Sequence, residues 1–363
     1  MSADVNERLM QSAAALAPVL APALVAWQRG QGRHHLPWQH TRDPYRVWLS
    51  EIMLQQTQVS TVLGYYDRFL ARFPDVRALA AAPEDEVLAL WSGLGYYSRA
   101  RNLHRCAQVV CEQHGGVFPD RFEALKDLPG IGPSTAAAVA AFCFHERVSI
   151  MDGNVKRVLA RVLDWGQDLS VTAHARSLER AAALLVPEQG DDMPAYTQGL
   201  MDLGATVCLP RRTDCLLCPW ADPCRARAAG RALTLPVKSR KLQRGRREHW
   251  WLWIEHDGHV WLTQRPDQGV WARLWSLPLV DDEAAVGTWA TALGVQTPEI
   301  QPAIDHALTH LDWRLHPRRL VLSARPDPQC LPEGADGRGR WVPLAALADW
   351  GLPAPARRLL TGR

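Results

Sequence analysis

Four cysteines, Cys208, Cys215, Cys218 and Cys224, fall within seventeen residues in the spacing C-x6-C-x2-C-x5-C, while Cys106, Cys111, Cys143 and Cys330 are scattered. Thiolates grouped on so short a segment point to a metal centre. Two disulfides would use the same residues, but cysteine is too sparse here for a stapled secreted domain. Zinc and iron–sulfur clusters both accept four thiolates. Zinc sites usually offer two C-x2-C arms and this segment has one, so its wider gaps favour a bulky [4Fe-4S] cluster, with zinc as the rival. Pro210, Pro219 and Pro223 make the segment irregular backbone, held by a metal rather than by a core.

Two carboxylates are the next candidates. Glu51 lies in Val47-Trp48-Leu49-Ser50-Glu51-Ile52-Met53-Leu54, a helical run apolar on nearly every side. An ionised carboxylate is costly there, so its pKa should rise, as a general acid working near neutral pH requires. A buried glutamate satisfied by hydrogen bonds is the plainer alternative. Asp152, in Met151-Asp152-Gly153-Asn154-Val155, stands where a helix N-cap stands, and Asn154 suits a cap or a turn equally well. Upstream runs Leu128-Pro-Gly-Ile-Gly-Pro-Ser134-Thr135. Gly130 and Gly132 let the backbone turn tightly, and the helix that follows offers free N–H groups to an anion such as phosphate. An ordinary corner between helices would use the same residues.

These residues need elements to position them. At 363 residues the chain suits two domains, each with its own core. Apolar residues recur at helical spacing through the first two-thirds, as in Val155, Val158, Leu159 and Val162, with breaks at Pro74, Pro83, Pro119 and Gly130. The Ala-rich stretch from Leu9 to Trp27 follows Asp4 and Glu7 and contains Pro18 and Pro22, which fits an amphipathic helix, or two, better than a signal peptide or membrane span. The expected address is the reducing cytoplasm, with no membrane partner. Near residue 248 the texture changes. Trp250–Ile254 and His259–Thr263 flank Asp257-Gly258 as a β-hairpin would, opening an α+β domain. The expected division is therefore 1–228, a linker over 229–247, and 248–363. The net charge of +3 is only a mild tilt toward polyanions, but Arg225, Arg227, Arg231, Lys238, Arg240, Lys241, Arg244, Arg246 and Arg247 make a basic run around the linker. It is either phosphate-facing or merely solvated.

Taken in order, Leu36-Pro-Trp-Gln39, Ser50-Glu-Ile-Met-Leu-Gln-Gln-Thr57, Gly93-Leu-Gly-Tyr-Tyr-Ser-Arg99, the Gly130–Gly132 hairpin, Asp152-Gly-Asn-Val155 and the cysteine segment resemble the MutY-type adenine DNA glycosylases of the helix-hairpin-helix base-excision superfamily. The resemblance spans nearly the whole chain. It implies a mainly α helix-hairpin-helix glycosylase domain with a [4Fe-4S] loop over 208–224, followed by a Nudix-like α+β domain. The implied reaction is removal of adenine mispaired with 8-oxoguanine or guanine in double-stranded DNA, by a monomer near the nucleoid. Glu51 matches the acid that protonates adenine, Asp152 the carboxylate that stabilises the sugar cation, and Asn154 a residue that orients the site. Cys208, Cys215, Cys218 and Cys224 match the cluster ligands.

DNA or lesion contacts are implied for Gln39, Gln55, Gln56, Thr57, Gly95, Tyr96, Tyr97, Arg99, Gly130, Gly132 and Ser134, with Gln56 and Tyr96 as wedges. The bifunctional endonuclease III-like enzymes, which act on pyrimidine lesions and cleave the strand, carry a nucleophilic lysine where this chain has Ser134. A hydroxyl forms no Schiff base, so a monofunctional glycosylase is expected. The C-terminal part lacks the glutamate-rich Nudix box. Its Ala307-Leu308-Thr309-His310 matches the lesion-sensing loop, although the family often has Phe-Ser-His there. Thr309 and His310 keep the hydroxyl and imidazole, while Leu308 replaces the aromatic ring.

Overall fold

The computed structural model describes residues 3–239, 243–334, 337 and 339–362. Its helices in chain order are α1 (Ala3–Gln31), α2 (Pro44–Leu54), α3 (Val59–Arg72), α4 (Val76–Ala81), α5 (Glu84–Trp91), α6 (Ser98–His114) and α7 (Phe122–Lys126). They continue as α8 (Pro133–Phe144), α9 (Gly153–Val162), α10 (Thr172–Leu184), α11 (Met193–Asp202), α12 (Arg225–Ala228), α13 (Glu283–Ala292) and α14 (Ala354–Thr361). The chain forms two compact units, each made of two stretches: Met1–Gln56 with Cys106–Lys241, and Thr57–Arg105 with Leu242–Arg363. A linear division near residue 248 therefore misses that 57–105 groups with the C-terminal residues.

In the first unit α8 is the central element. Thr135 through Phe142 are buried on every side of it, and its alanines let α2, α7 and α11 approach closely. The chain enters α8 from α7 through a turn in which Gly130 has φ +74°, a left-handed conformation that glycine adopts without strain. α2 starts at Pro44, and Asp43 Oδ1 accepts from Tyr45 N at 2.9 Å to cap it. α1 is one continuous helix, Pro18 and Pro22 included. It is long and apolar enough to cross a membrane by length and composition, yet Leu9, Ala13, Leu20, Leu24 and Trp27 are buried on the side that packs on α10 and α11. Gly199 of α11 permits this, since a Cβ there would lie 2.9 Å from Leu24 Cγ.

The supposed linker is partly built into this unit. Leu169 N donates to Val237 O at 3.0 Å, and Ser239 hydrogen-bonds to Asp168. Arg231 pairs with Asp164 at 2.6 Å and Arg227 with Asp222 at 3.4 Å. Arg240 and Lys241 lie outside the described residues.

The second unit is built on one sheet with strands β1 (Gly245–His256), β2 (His259–Gln264), β3 (Trp275–Ser276), β4 (Leu279–Val280), β5 (Glu299–Ile300), β6 (Ile304–Ala307), β7 (Leu311–Val321) and β8 (Gly339–Pro343). The main order is β3-β2-β1-β7-β5, with β1 and β7 parallel and the other pairs antiparallel. The expected hairpin is present: His256 faces His259 across Asp257 and Gly258, at φ +43° and +68°. β1 begins earlier than residue 248, so Arg246 and Arg247 belong to a strand and not to a linker. Leu252, Ile254, Trp261 and Leu320 pack with Val286 and Ala290 of α13 to form the core. Trp251, Trp271 and Trp313 stack in series, buried, as core tryptophans rather than a cage. α5 and α6 are tied to this sheet through Arg273–Glu84 (2.8 Å) and Arg101 Nη1 to Ala272 O (2.8 Å).

Candidate functional site

Glu51 sits on α2 among buried Val47, Trp48, Ile52 and Met53, and keeps part of its own surface accessible. Burial first, and then the nearby Asp152 carboxylate, push its pKa from 4.5 up to about 8. The group is therefore protonated at neutral pH. Asp152 caps α9: its Oδ1 accepts from Val155 N at 2.7 Å. The capping and the placement beside Glu51 are compatible, because the cap occupies one carboxylate oxygen. Asn154, two residues on, accepts from Arg157 Nη2 at 3.0 Å through Oδ1. Gly204 lies against it so closely that a Cβ there would be 2.8 Å from Asn154 Cβ.

Around this pair, Gln55 Nε2 donates to Thr135 Oγ1 at 3.3 Å, linking the end of α2 to the start of α8, where Ser134 also lies. Gly132 is the N-cap of α8 and Pro133 its first residue. Gln39 Oε1 accepts from Leu36 N at 3.1 Å, while its Nε2 is buried and without a hydrogen-bond partner. Gln56 is exposed with φ +56°, a left-handed conformation unusual for a residue with a side chain.

A second group forms within the other unit. Tyr96 is 45% exposed with φ +47°, and its hydroxyl lies 2.7 Å from Thr309 Oγ1. Thr309 and His310 are exposed on the β6–β7 loop, with Leu308 half-buried beside them. Arg99 is buried: its Nη2 donates to Thr57 Oγ1 (3.1 Å), Leu94 O (3.2 Å) and Gly95 O (3.1 Å), and its guanidinium lies 5.5 Å from the Tyr96 ring centre. Tyr97 is buried too, its hydroxyl donating to Leu352 O at 3.0 Å. Arg99 and Tyr97 thus hold the Gly93–Tyr96 loop from behind rather than standing on its surface.

Cys208, Cys215, Cys218 and Cys224 take part in no disulfide. They line a single cavity, together with Arg161. Burial pushes the Cys218 thiol up to about 12 and raises that of Cys224. Arg161 is 2% exposed, and its hydrogen-bond partners are Leu235 O, Leu209 O, Pro210 O and Cys208 Sγ (3.2 Å). A buried guanidinium facing sulfur calls for negative charge, which thiolates bound to a metal supply. No set of three His, Cys, Asp or Glu among the described residues is arranged for a single metal ion. Four sulfurs line one cavity beside a buried cation, a donor set whose chemistry suits a thiolate-bound metal centre.

Arg157, Arg161 and Arg244 were not singled out for this chemistry by the sequence reading. Arg157 also donates to Cys208 O at 2.9 Å and Gly204 O at 2.7 Å, so one face of α9 runs from Asp152 to the cysteine segment. Two arginines four apart on a strongly amphipathic helix were the available signal. Arg244 donates to Leu308 O at 2.9 Å and pairs with Asp312 at 3.4 Å, bracing the β6–β7 loop.

Comparison with known proteins agrees with this layout. The model of the HhH-GPD superfamily of base excision DNA repair proteins matches residues 49–188, and that of the NUDIX domain matches residues 249–362. An adenine DNA glycosylase of Buchnera aphidicola subsp. Baizongia pistaciae is 31% identical over 351 residues, covering 94% of this chain and 96% of its own. The Homo sapiens adenine DNA glycosylase is 43% identical over 215 residues, covering 56% of this chain and 39% of its own. Among solved structures, a thermostable thymine-DNA glycosylase matches with a TM-score of 0.53 and 29% identity, covering 59% of this chain and 97% of its own. With likeness to the Buchnera enzyme extending over nearly the full length of both proteins, the chain belongs to the adenine DNA glycosylase family, DNA glycosylases of base excision repair.

Proposed function

We propose that this enzyme hydrolytically excises adenine mispaired with 8-oxoguanine or guanine, using Glu51 as acid and Asp152 as electrostatic partner. The observation that carries the reading is a glutamic acid kept neutral at pH 7 beside a carboxylate that caps a helix. The target base lies inside the duplex, so it must be flipped out, which costs least at a mispair. Glu51 then gives its proton to N7 of adenine. The C1′–N9 bond breaks with its electron pair leaving on the purine, and Asp152 stabilises the cationic sugar. Water adds at C1′ and loses a proton. Ser134 offers no amine, so the strand stays intact.

Gln56 and Tyr96 act as wedges beside the orphan base, and their left-handed backbones support the assignment, since such strain gathers at functional sites. Thr309 and His310 read the lesion. Cys208, Cys215, Cys218 and Cys224 would hold a [4Fe-4S] cluster, which would tie the 208–224 loop together and set thiolate charge against the buried Arg161. Single-turnover assays on duplexes with adenine opposite 8-oxoguanine, guanine or cytosine test the reading. Adenine release is expected from the first two, and none from any duplex would sink it. Borohydride trapping on abasic DNA should give no covalent adduct.

A further inference from the structure

We infer that the C-terminal segment Trp350–Arg357 is a positioning strap for the loop that presents Tyr96, with Arg357 as its fastening. The inference rests on the reading of Tyr96 as a wedge. Tyr96 stands exposed at the tip of Gly93–Tyr97 in a conformation that costs energy, so the loop needs support from behind. The support comes from more than 250 positions away in sequence. Leu352 O accepts twice, from Ser92 Oγ at 2.9 Å and from Tyr97 Oη at 3.0 Å. Arg357 Nε donates to Ser92 Oγ at 3.1 Å, while its Nη2 donates to Trp350 O at 2.6 Å. One guanidinium therefore grips both the loop and the strap itself.

The packing is close as well as polar. Gly351 has no room for a side chain, since a Cβ would lie 2.9 Å from Leu88 Cβ on α5. On the loop's other side Gly93, at φ +105°, would place a Cβ 2.2 Å from Tyr65 Oη, which donates to Ser92 O at 2.8 Å. Ser92 is thus held through its carbonyl, and its hydroxyl bridges Arg357 and Leu352. Burial lowers the pKa of Arg357, with no effect on its charge near neutral pH. Arg357 touches neither DNA nor the excised base in this scheme: it acts through Ser92 on Tyr96.

Arg357→Ala in the full-length enzyme tests the strap, with binding measured to a duplex carrying 8-oxoguanine opposite a non-hydrolysable adenosine analogue and to an undamaged duplex. Loss of a charged hydrogen bond should weaken lesion binding about tenfold and leave undamaged binding unchanged. Backbone amides of Gly93–Tyr97 should exchange faster in the free protein, and Arg357→Lys should recover part of both effects. In a Tyr96→Ala background, Arg357→Ala should have no further effect on lesion binding. Unchanged exchange with unchanged discrimination, or losses that add in the double variant, would overturn the strap. If Arg357→Ala does not fold, Ser92→Ala carries the same measurements, because it removes the hydroxyl that joins the loop to Leu352 O and to Arg357. Wild-type enzyme binding both duplexes equally would instead overturn the reading of the lesion site.

Discussion

The surroundings of Glu51 and those of Tyr96 solve opposite problems. Glu51 lies on a regular, capped helix with apolar neighbours, where desolvation, helped by the nearby Asp152 carboxylate, pushes its proton affinity into the neutral range. Tyr96 and Thr309 lie on irregular loops at the surface, where they remain accessible and are shaped by hydrogen bonds from the buried Arg99 and the exposed Arg244. Chemistry on a leaving group demands a dry, preorganised place. Reading a base demands an exposed one, and its rigidity must be supplied from behind.

The largest expected effect breaks the first region. Glu51→Gln keeps the shape and removes the titration, so excision should fall by about a thousandfold or more. Stability should move the other way. Between pH 4.5 and about 8 the folded Glu51 holds a proton that the unfolded chain has lost, so the wild type loses stability as pH rises through that window. Below it both states are protonated and the penalty is absent. Denaturation at pH 8 should show the variant more stable, by at most about 5 kcal/mol, and the gain should vanish near pH 4. A gain independent of pH would remove the desolvation argument. By the same shift, wild-type excision should decline as pH rises through about 8.

Next comes the cysteine loop, which belongs to neither region but supports the first through α9. Cys218→Ser should lower bound iron and the visible absorbance of the cluster, and lower the melting temperature, because metal binding and local folding are linked. Full iron content in that variant would exclude Cys218 as a ligand.

How much of each region was legible in sequence follows the same contrast. Glu51 was readable because its neighbours in sequence are also its neighbours on a helix, and apolar residues on every side already imply a raised pKa. Asp152 at a helix start and Asp257-Gly258 at a turn were readable for similar local reasons. The supports were not. Tyr97 meets Leu352, and Arg244 meets Leu308, through chain separations that no periodicity reports. For the same reason the grouping of residues 57–105 with the C-terminal sheet was invisible, and Tyr97 and Arg99 were expected as DNA contacts when they are buried braces. In the basic run, composition alone treated all arginines alike, while Arg227 and Arg231 are already paired and Arg246 and Arg247 lie in β1.

Within the reading region, Thr309→Val removes the hydroxyl that meets Tyr96 and keeps the volume. The loss of one neutral hydrogen bond, about 1 kcal/mol, should cut discrimination between adenine opposite 8-oxoguanine and opposite guanine about fivefold. Excision of adenine opposite guanine should be nearly unaffected. An equal fall on both substrates would place Thr309 among groups needed for folding or catalysis and blur the contrast between the regions.

The smallest effect concerns charge at the edge of that surface. Arg246 and Arg247 open β1 next to the braced loop and are exposed, whereas Arg231 is engaged with Asp164. If the strand arginines meet phosphates, Arg246→Ala and Arg247→Ala should each flatten the dependence of log binding constant on log salt by about one unit, for damaged and undamaged duplexes alike. Arg231→Ala should leave the slope unchanged. Unaltered slopes for all three would mean that the basic run is solvated and that recognition depends on the braced loops alone.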